Sequence, residues 1–433
     1  MKLRACHAMG SRLRSALGLT VIAAWGAAAL FACAGPDPVA ERAKLDSGEP
    51  RTSVDANVDA GTDASVRVPL AELGRHLFYD KRLSFNETTS CASCHEQSKA
   101  FSDGKATPKG ATGQILSRNS QTLFNLEERA TYTWGNPTLT TLERQANVPI
   151  FADIVIELGA TGHERTILQR IAVDPTYERL FRAAFGTGVE LATFPQITSA
   201  IAEFERTLIS RESPYDRFLA GDATALDESA KRGRELFFSE TCECYHCHDG
   251  RDLTSSIRTA TGAYRGSFAN TGLYDVDGRG SYPSENTGLF EITENPSDMG
   301  KFRVPSLRNV EVSAPYMHDG TIASLEDVIA HYARGGRLVT GGPTAGDGAK
   351  SRLKDPLVRG FTLSDTDTAA LVAFLRSLTD AAFLRDPRHA NPWPSDRTDA
   401  SADAIGRDGA ADVVEVDAQP DGGTLDASDS NPP

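Results

Sequence analysis

The chain has 433 residues, 59 of them acidic and 45 basic, a net charge of −14 and 40% hydrophobic residues. That length allows two or three domains, and that apolar share suits a soluble core rather than a membrane bundle or a disordered chain. The negative balance excludes nucleic acid and anionic membrane as natural partners, because both would repel it.

The first 33 residues read as an export signal. Lys2, Arg4, Arg12 and Arg14 form a basic head, and an apolar run follows from about Ala16 to Ala32, short for a membrane span. Leu30-Phe31-Ala32-Cys33 has the form of a lipobox, with Cys33 as the lipidated first residue; plain signal cleavage nearby is the alternative. Either route takes the protein out of the cytoplasm. A lipid would tether it to a membrane surface without spanning it, which places it in the periplasm, anchored to the outer membrane. Residues 34–67 are rich in Asp, Ala, Ser and Gly and cannot offset their ordering entropy, so they read as a disordered linker. The acidic stretch 394–433 reads as a disordered tail for the same reason.

The folded part then runs from 68 to 393. Leu70, Leu73, Leu77 and Phe78 lie at helical spacing. Cys91-Ala92-Ser93-Cys94-His95 follows. Ile167, Leu168 and Ile171 predict another helix, and Tyr177, Leu180, Phe181 and Phe185 a further one. Ile197, Ile201, Phe204 and Leu208 form an apolar stripe on a longer helix. After Ser213-Pro214 the pattern repeats: a helix over Ala230–Phe238 leads into Cys244-Tyr245-His246-Cys247-His248. A last helix covers about Ser364–Leu378, with Ser364 as its N-cap. Gly-, Asn- and Pro-rich loops intervene, notably Arg258–Asp298, and period-two alternation is scarce.

Each Cys-x-x-Cys-His pentapeptide is the attachment pattern of a c-type haem. On a helix, positions i and i+3 share a face, so two thiols reach the two vinyl groups of one porphyrin. The histidine after the second cysteine then comes under the iron as proximal ligand. Structural zinc would need a further Cys/His pair, and none completes such a site. Of the 7 cysteines, Cys6 leaves with the signal, Cys33 takes lipid or is cleaved away, and Cys91, Cys94, Cys244 and Cys247 hold haems. Cys242 is left over, either as a free thiol or as a competitor of Cys244. The expected fold is therefore mainly α, with two cytochrome c-like domains, 68–214 and 215–393. Each holds one covalently bound haem and carries long irregular loops.

The folded region resembles the bacterial di-haem cytochrome c peroxidase and MauG superfamily. The resemblance rests on LGRHLFYDKRLS, SCASCH, SRNSQTLFN, RQANVPIF, IELG, FRVPSLRNV and APYMHDGTIASLEDVIAHY. Further strings, among them YTWGNPTLTTLERQA, FERTLISRESPYDRFLAG, NTGLYD and DMGKFRVPSLRN, are similar to the MbnH-like branch found beside copper-related partner proteins.

That resemblance implies roles. His95 and His248 are the proximal ligands. Classical members cap the first iron with a histidine soon after the first motif, but here none occurs between His95 and His163, so the first iron is expected to be open to peroxide. Gln145, Pro149 and Glu157 match the distal residues of that open haem, with Glu157 as acid–base catalyst. Trp134 matches the tryptophan between the haems. Tyr332 falls at the distal ligand position of the second haem, where peroxidases carry Met and MauG carries Tyr; Met317 is the rival ligand. A hard phenolic oxygen favours ferric and higher states, and a soft thioether favours ferrous iron. Asn119, Ser313 and Pro315 match a calcium site between the haems, the first by its side chain and the others by carbonyls. His318, Arg308 and His331 read as structural supports.

The function so implied is a MauG/MbnH-like oxidase. It uses hydrogen peroxide to form a high-valent di-haem state, which oxidises a secreted partner protein by long-range electron transfer. In the MbnH-like branch the target is a Trp, converted to kynurenine, on a copper-binding, MbnP-like partner. The alternatives are a di-haem cytochrome c peroxidase fed by a small redox protein, and a non-enzymatic di-haem electron carrier.

Overall fold

A computed structural model describes residues 64–258, 264–265 and 268–394. The expected export signal with Cys6 and Cys33, most of the linker, and the tail beyond its first residue lie outside the described residues. The first helix, α1, spans Ala64–Tyr79 and so begins inside the stretch read as linker.

In the first half, α1 packs on α5 (Phe194–Arg206), with α2 (Leu142–Phe151), α3 (Glu164–Ala172) and α4 (Pro175–Phe185) around them. The expected apolar positions do meet: Leu73, Leu77 and Phe78 of α1 bury fully against Ile197, Ile201 and Phe204 of α5. Removing such side chains from water is worth roughly 1.5–3 kcal/mol each. Gly74 lets the two backbones touch. A Cβ there would stand 1.8 Å from the Ala200 carbonyl oxygen. The ends of α4 follow the local rules: the Asp174 carboxylate accepts from Thr176 N–H, Pro175 opens the helix, and Gly186 closes it at φ 71°.

The second half repeats this crossing. It contains α6 (Pro214–Leu219), α7 (Glu228–Phe237), α8 (Phe290–Thr293), α9 (Leu325–Arg334) and α10 (Asp365–Arg376). Helix α7 packs on α10, and a Cβ on Gly233 would stand 1.9 Å from the Ala370 carbonyl oxygen. Gly74-Arg75-His76-Leu77-Phe78 and Gly233-Arg234-Glu235-Leu236-Phe237 thus do the same work. Each supplies a glycine at the crossing, then a Leu and a Phe for the core. Ser364 caps α10 through its hydroxyl on Asp367 N–H, as the sequence indicated.

Among the described residues, strand structure is limited to three two-stranded antiparallel ribbons: β1 (Ile257–Arg258) with β2 (Tyr264–Arg265), β3 (Phe268–Ala269) with β4 (Phe302–Arg303), and β5 (Leu338–Val339) with β6 (Gly346–Asp347). The fold is mainly α, with two cytochrome c-like halves. They are joined by a buried polar seam. Arg308 donates twice to the Asp216 carboxylate, at 2.8 and 2.7 Å, and reaches Asp252 at 3.2 Å. Asp252 in turn accepts from Asn125 of the first half at 2.9 Å. The chain end also returns to the first half. Phe383 and Trp393 join its core, with Trp393 edge-on to His76 at 4.9 Å and to Tyr177 at 5.7 Å.

Candidate haem cavities and active site

Each cysteine motif forms a single 3-10 turn, Cys91–Ser93 and Cys244–His246, instead of the α-helical turn expected from the spacing. Cys94 N–H donates to Cys91 C=O at 3.1 Å, and Cys247 N–H to Cys244 C=O at 3.3 Å. The consequence for the thiols is favourable, since i and i+3 eclipse in 3-10 geometry. As free thiols these cysteines stay protonated. Burial pushes Cys94 and Cys244 up to about 12, and Cys247 to about 11.

Both candidate ligands are fixed in the same way. His95 Nδ1–H donates to the Phe101 carbonyl at 2.6 Å, and His248 Nδ1–H to the Leu253 carbonyl at 3.1 Å. A carbonyl only accepts, so the proton sits on Nδ1 and Nε2 keeps its lone pair. Burial lowers both imidazole pKa values, His248 to about 4, which keeps them neutral.

Beside each motif lies a cavity with about 1810 Å³ of empty space, counting its mouth. The first is lined by Cys91, Cys94, His95, Gln145, Pro149 and Glu157, and among its lining residues His95 is the only histidine. His163 instead caps α3 and faces Phe85. Gln145 and Pro149 sit on α2, whose Pro149 carbonyl accepts from Leu158 N–H at 2.9 Å and so folds the following loop back. That return brings Glu157 to the wall. It is half-buried there, and desolvation raises its carboxyl pKa to about 7. Glu205 of α5 lines the same cavity, is 5% exposed, and has its pKa raised to about 8 by desolvation first. Sequence reasoning missed it. The signal was there, because Glu205 stands four residues after Ile201 on the apolar face of its helix.

The second cavity is lined by Cys244, Cys247 and His248, by Leu325, Val328 and Ile329 of α9, and by Leu371 and Leu375 of α10. Tyr332 and Met317 both reach its wall, as does the leftover Cys242. No described residue hydrogen-bonds the Tyr332 hydroxyl, and burial raises its pKa. His331 turns away, with its Nε2 3.1 Å from the Thr271 carbonyl. His318 stacks on Phe302 at 3.5 Å between ring centroids.

One wall is common to both cavities. It contains Asn119, Gln121, Arg129, Trp134 and Arg303. Trp134 Nε1–H donates to the Asn119 carbonyl at 2.9 Å, and Arg303 holds the wall together through Gln121 Oε1 and the Thr133 carbonyl. Asn119 Nδ2 donates to the Lys105 and Ala106 carbonyls, which leaves Oδ1 as the atom it can offer a cation. Asn119, Ser313 and Pro315 all border the second cavity.

These cavities fit haem. Each presents two thiols and an imidazole with a free Nε2 to its interior. On the shared wall, Arg129 is 3% exposed and its Nε has no partner among the described residues. A buried guanidinium in that position calls for an anion, which a porphyrin's acidic side chains supply. Two such cavities on a cytochrome c-like frame define a di-haem c-type protein.

Comparison with known proteins agrees. Residues 69–224 match the family described as di-haem cytochrome c peroxidase. Cytochrome-c peroxidase IdrP1 of Denitromonas iodatirespirans is 33% identical over 348 residues, covering 73% of this chain and 83% of the relative. Methylamine utilization protein MauG of Methylophilus methylotrophus is 33% identical over 319 residues, covering 72% and 83%. Among solved structures, a MauG-like protein associated with microbial copper homeostasis is 46% identical, with TM-score 0.73 over 75% of this chain and 93% of that one. The diheme peroxidase BthA from Burkholderia thailandensis shares the fold, at 22% identity and TM-score 0.54 over 74% and 89%. The chain belongs to the di-haem cytochrome c peroxidase and MauG family. It is a di-haem oxidoreductase of the peroxidase class and carries two c-type haems.

Proposed function

We propose that this chain is a MauG-type oxidase. It takes hydrogen peroxide at the His95 cavity, shares the oxidising equivalents with the His248 cavity, and withdraws electrons from a separate protein. The observation that carries the reading is the contrast between the cavities. One has Glu157 and Glu205 and, among its described lining residues, no second histidine; the other has Tyr332, whose hydroxyl no described residue hydrogen-bonds. The haems supply the redox chemistry when bound.

The chain's own residues handle protons and position. Peroxide cleavage requires a proton to leave one oxygen and reach the other. With a pKa of about 7, Glu157 can take and return it at neutral pH. Gln145 and Pro149 shape the peroxide side of the cavity. Trp134 stands on the shared wall, where its π-system divides one long electron step into two shorter ones. The Tyr332 oxygen suits the oxidised states of the second haem. A calcium ion held by Asn119 Oδ1 and the carbonyls of Ser313 and Pro315 would brace that wall.

The target is a Trp of a secreted, copper-binding, MbnP-like protein, oxidised to kynurenine. Support comes from the 46% identity to a MauG-like protein associated with copper homeostasis. Both proteins would meet in the periplasm, this one held to the outer membrane through Cys33. Among the described residues no helix is long and apolar enough to cross a membrane. The test is mass spectrometry of such a partner, encoded beside this gene, after incubation with the ferric holoprotein and peroxide. An oxidised Trp is expected, and an unmodified partner contradicts the assignment.

A second reading, a peroxidase fed by a small redox protein, is favoured by one observation. Met317 lines the same cavity as Tyr332, in a left-handed conformation at φ 73° that points to a constrained turn. It expects reaction with peroxide only after half-reduction, whereas the oxidase reading expects reaction of the resting ferric protein and a near-infrared charge-resonance band. The third reading, an electron carrier, expects no peroxide reaction.

A further inference from the structure

The first cavity holds more proton-binding capacity than peroxide cleavage alone uses. Glu205 stands on α5 across from α2, lines the cavity with Glu157, and is 95% removed from solvent by its 5% exposure. Its Oε2 has no hydrogen-bond partner among the described residues. A buried carboxylate with no cation on it costs several kcal/mol, so such a group persists as the neutral acid, a proton in store. Its neighbours point the same way. Arg206 lowers its pKa, but that guanidinium is already held by Glu143 at 2.6 Å and Glu203 at 3.3 Å. Glu143 raises it. Tyr132, also on the cavity wall, and the Cys91 sulfur lie within electrostatic reach, and Glu157 faces the same space. From α1, Arg67 is spent on Glu203 at 3.8 Å.

The reaction has a use for such a proton. Cleaving peroxide only moves a proton from one oxygen to the other. Completing the reduction, H2O2 + 2 H⁺ + 2 e⁻ → 2 H2O, draws two further protons into the cavity while a donor supplies two electrons. We infer that Glu205 is a second proton-holding residue of the first cavity, which delivers a proton during reduction while Glu157 serves the cleavage. This rests on the peroxide reading of that cavity. It divides the labour between two carboxyl groups, one on α5 and one on the loop that follows α2.

The test uses the ferric holoprotein, peroxide, and ABTS, a dye that gives electrons without protons. Stopped-flow follows the first reaction with peroxide, and steady-state turnover follows the whole cycle from about pH 6 to about pH 9, where carboxyl groups tuned toward neutrality titrate. Glu205→Gln is expected to leave the first reaction within about twofold of the parent and to cut turnover about tenfold or more, the lower end of a proton-transfer contribution. It is also expected to erase the fall in turnover near pH 8. Glu205→Asp, which restores the acid, is expected to recover part of the rate and the limb. Turnover and pH profile identical to the parent in Glu205→Gln would overturn the inference. Should Glu205→Gln fail to take up haem, Glu205→Leu, which likewise holds no proton, takes its place, and a parental turnover and pH profile there overturn the inference as well. Failure of the underlying reading is a separate result: there Glu157→Gln leaves the first reaction untouched.

Discussion

The two haem cavities are attached alike and furnished differently. Both start from a 3-10 turn of two thiols, both hold an imidazole by Nδ1 on a backbone carbonyl, and both sit behind a helix crossing closed by a glycine. Beyond that plane they part. The first places Gln145, Glu157 and Glu205 around its space, and the second places Leu325, Ile329, Leu371 and Tyr332. A shared frame therefore fixes where a haem sits, and the opposite wall decides what it does. On the proposed reading Glu157 and Glu205 move protons at the first cavity, while the largely apolar wall of the second, with Tyr316 and Tyr332 among its residues, seals the other haem.

The most severe way to break this contrast is Glu157→Gln. The rate constant for peroxide is expected to fall about 10²–10⁴-fold, the usual weight of a positioned acid–base group, with the spectrum of the second haem unchanged. Stopped-flow spectroscopy measures both. The parent's rate should also rise with pH through about 7, because Glu157 accepts a proton only as the carboxylate, and the variant's profile should be flat there.

Trp134→Phe tests the wall instead of either cavity. The first haem should still react with peroxide, while the response of the second should be slowed severalfold in the same stopped-flow record. An unchanged delay would remove Trp134 from the path.

The shared frame predicts equal, smaller effects. Gly74→Ala and Gly233→Ala each push a methyl group onto a helix backbone, so each should destabilise by about 1–3 kcal/mol, read as a lower Tm. A large cost at one crossing and none at the other would show that the halves are not equivalent. Smaller still is a pH effect on stability. The folded-state pKa of Glu205 is raised from 4.5 to about 8, so its stabilising contribution is full below about 4.5 and is lost as pH rises through about 8. Chemical denaturation of Glu205→Gln should show a shallower decline across that window.

The repeated frame was legible in the sequence because it obeys local rules. Two Cys-x-x-Cys-His motifs, the α1 and α5 stripes and the Ser364 cap are short-range patterns, and the structure keeps them. The turn type at the motifs was not legible, since i,i+3 proximity suits α and 3-10 geometry equally. Nor was the meeting of Arg129, Trp134 and Arg303 on one wall, which depends on loops and a two-residue ribbon that bring distant segments together. Glu205 was passed over because a charge on a helix is ordinarily solvated, and only the helix's buried neighbours argue otherwise. Phe383 and Trp393 belong by sequence to the second half and by packing to the first, a long-range return with no local signature.

The central claim is tested most directly by electron paramagnetic resonance of the ferric holoprotein beside its Tyr332→Phe variant. The account predicts one high-spin and one low-spin haem in the parent, and loss of the parental low-spin signal in the variant with the high-spin signal intact. Identical spectra from the two proteins would contradict it, and would return the second iron to Met317 or to no side chain at all.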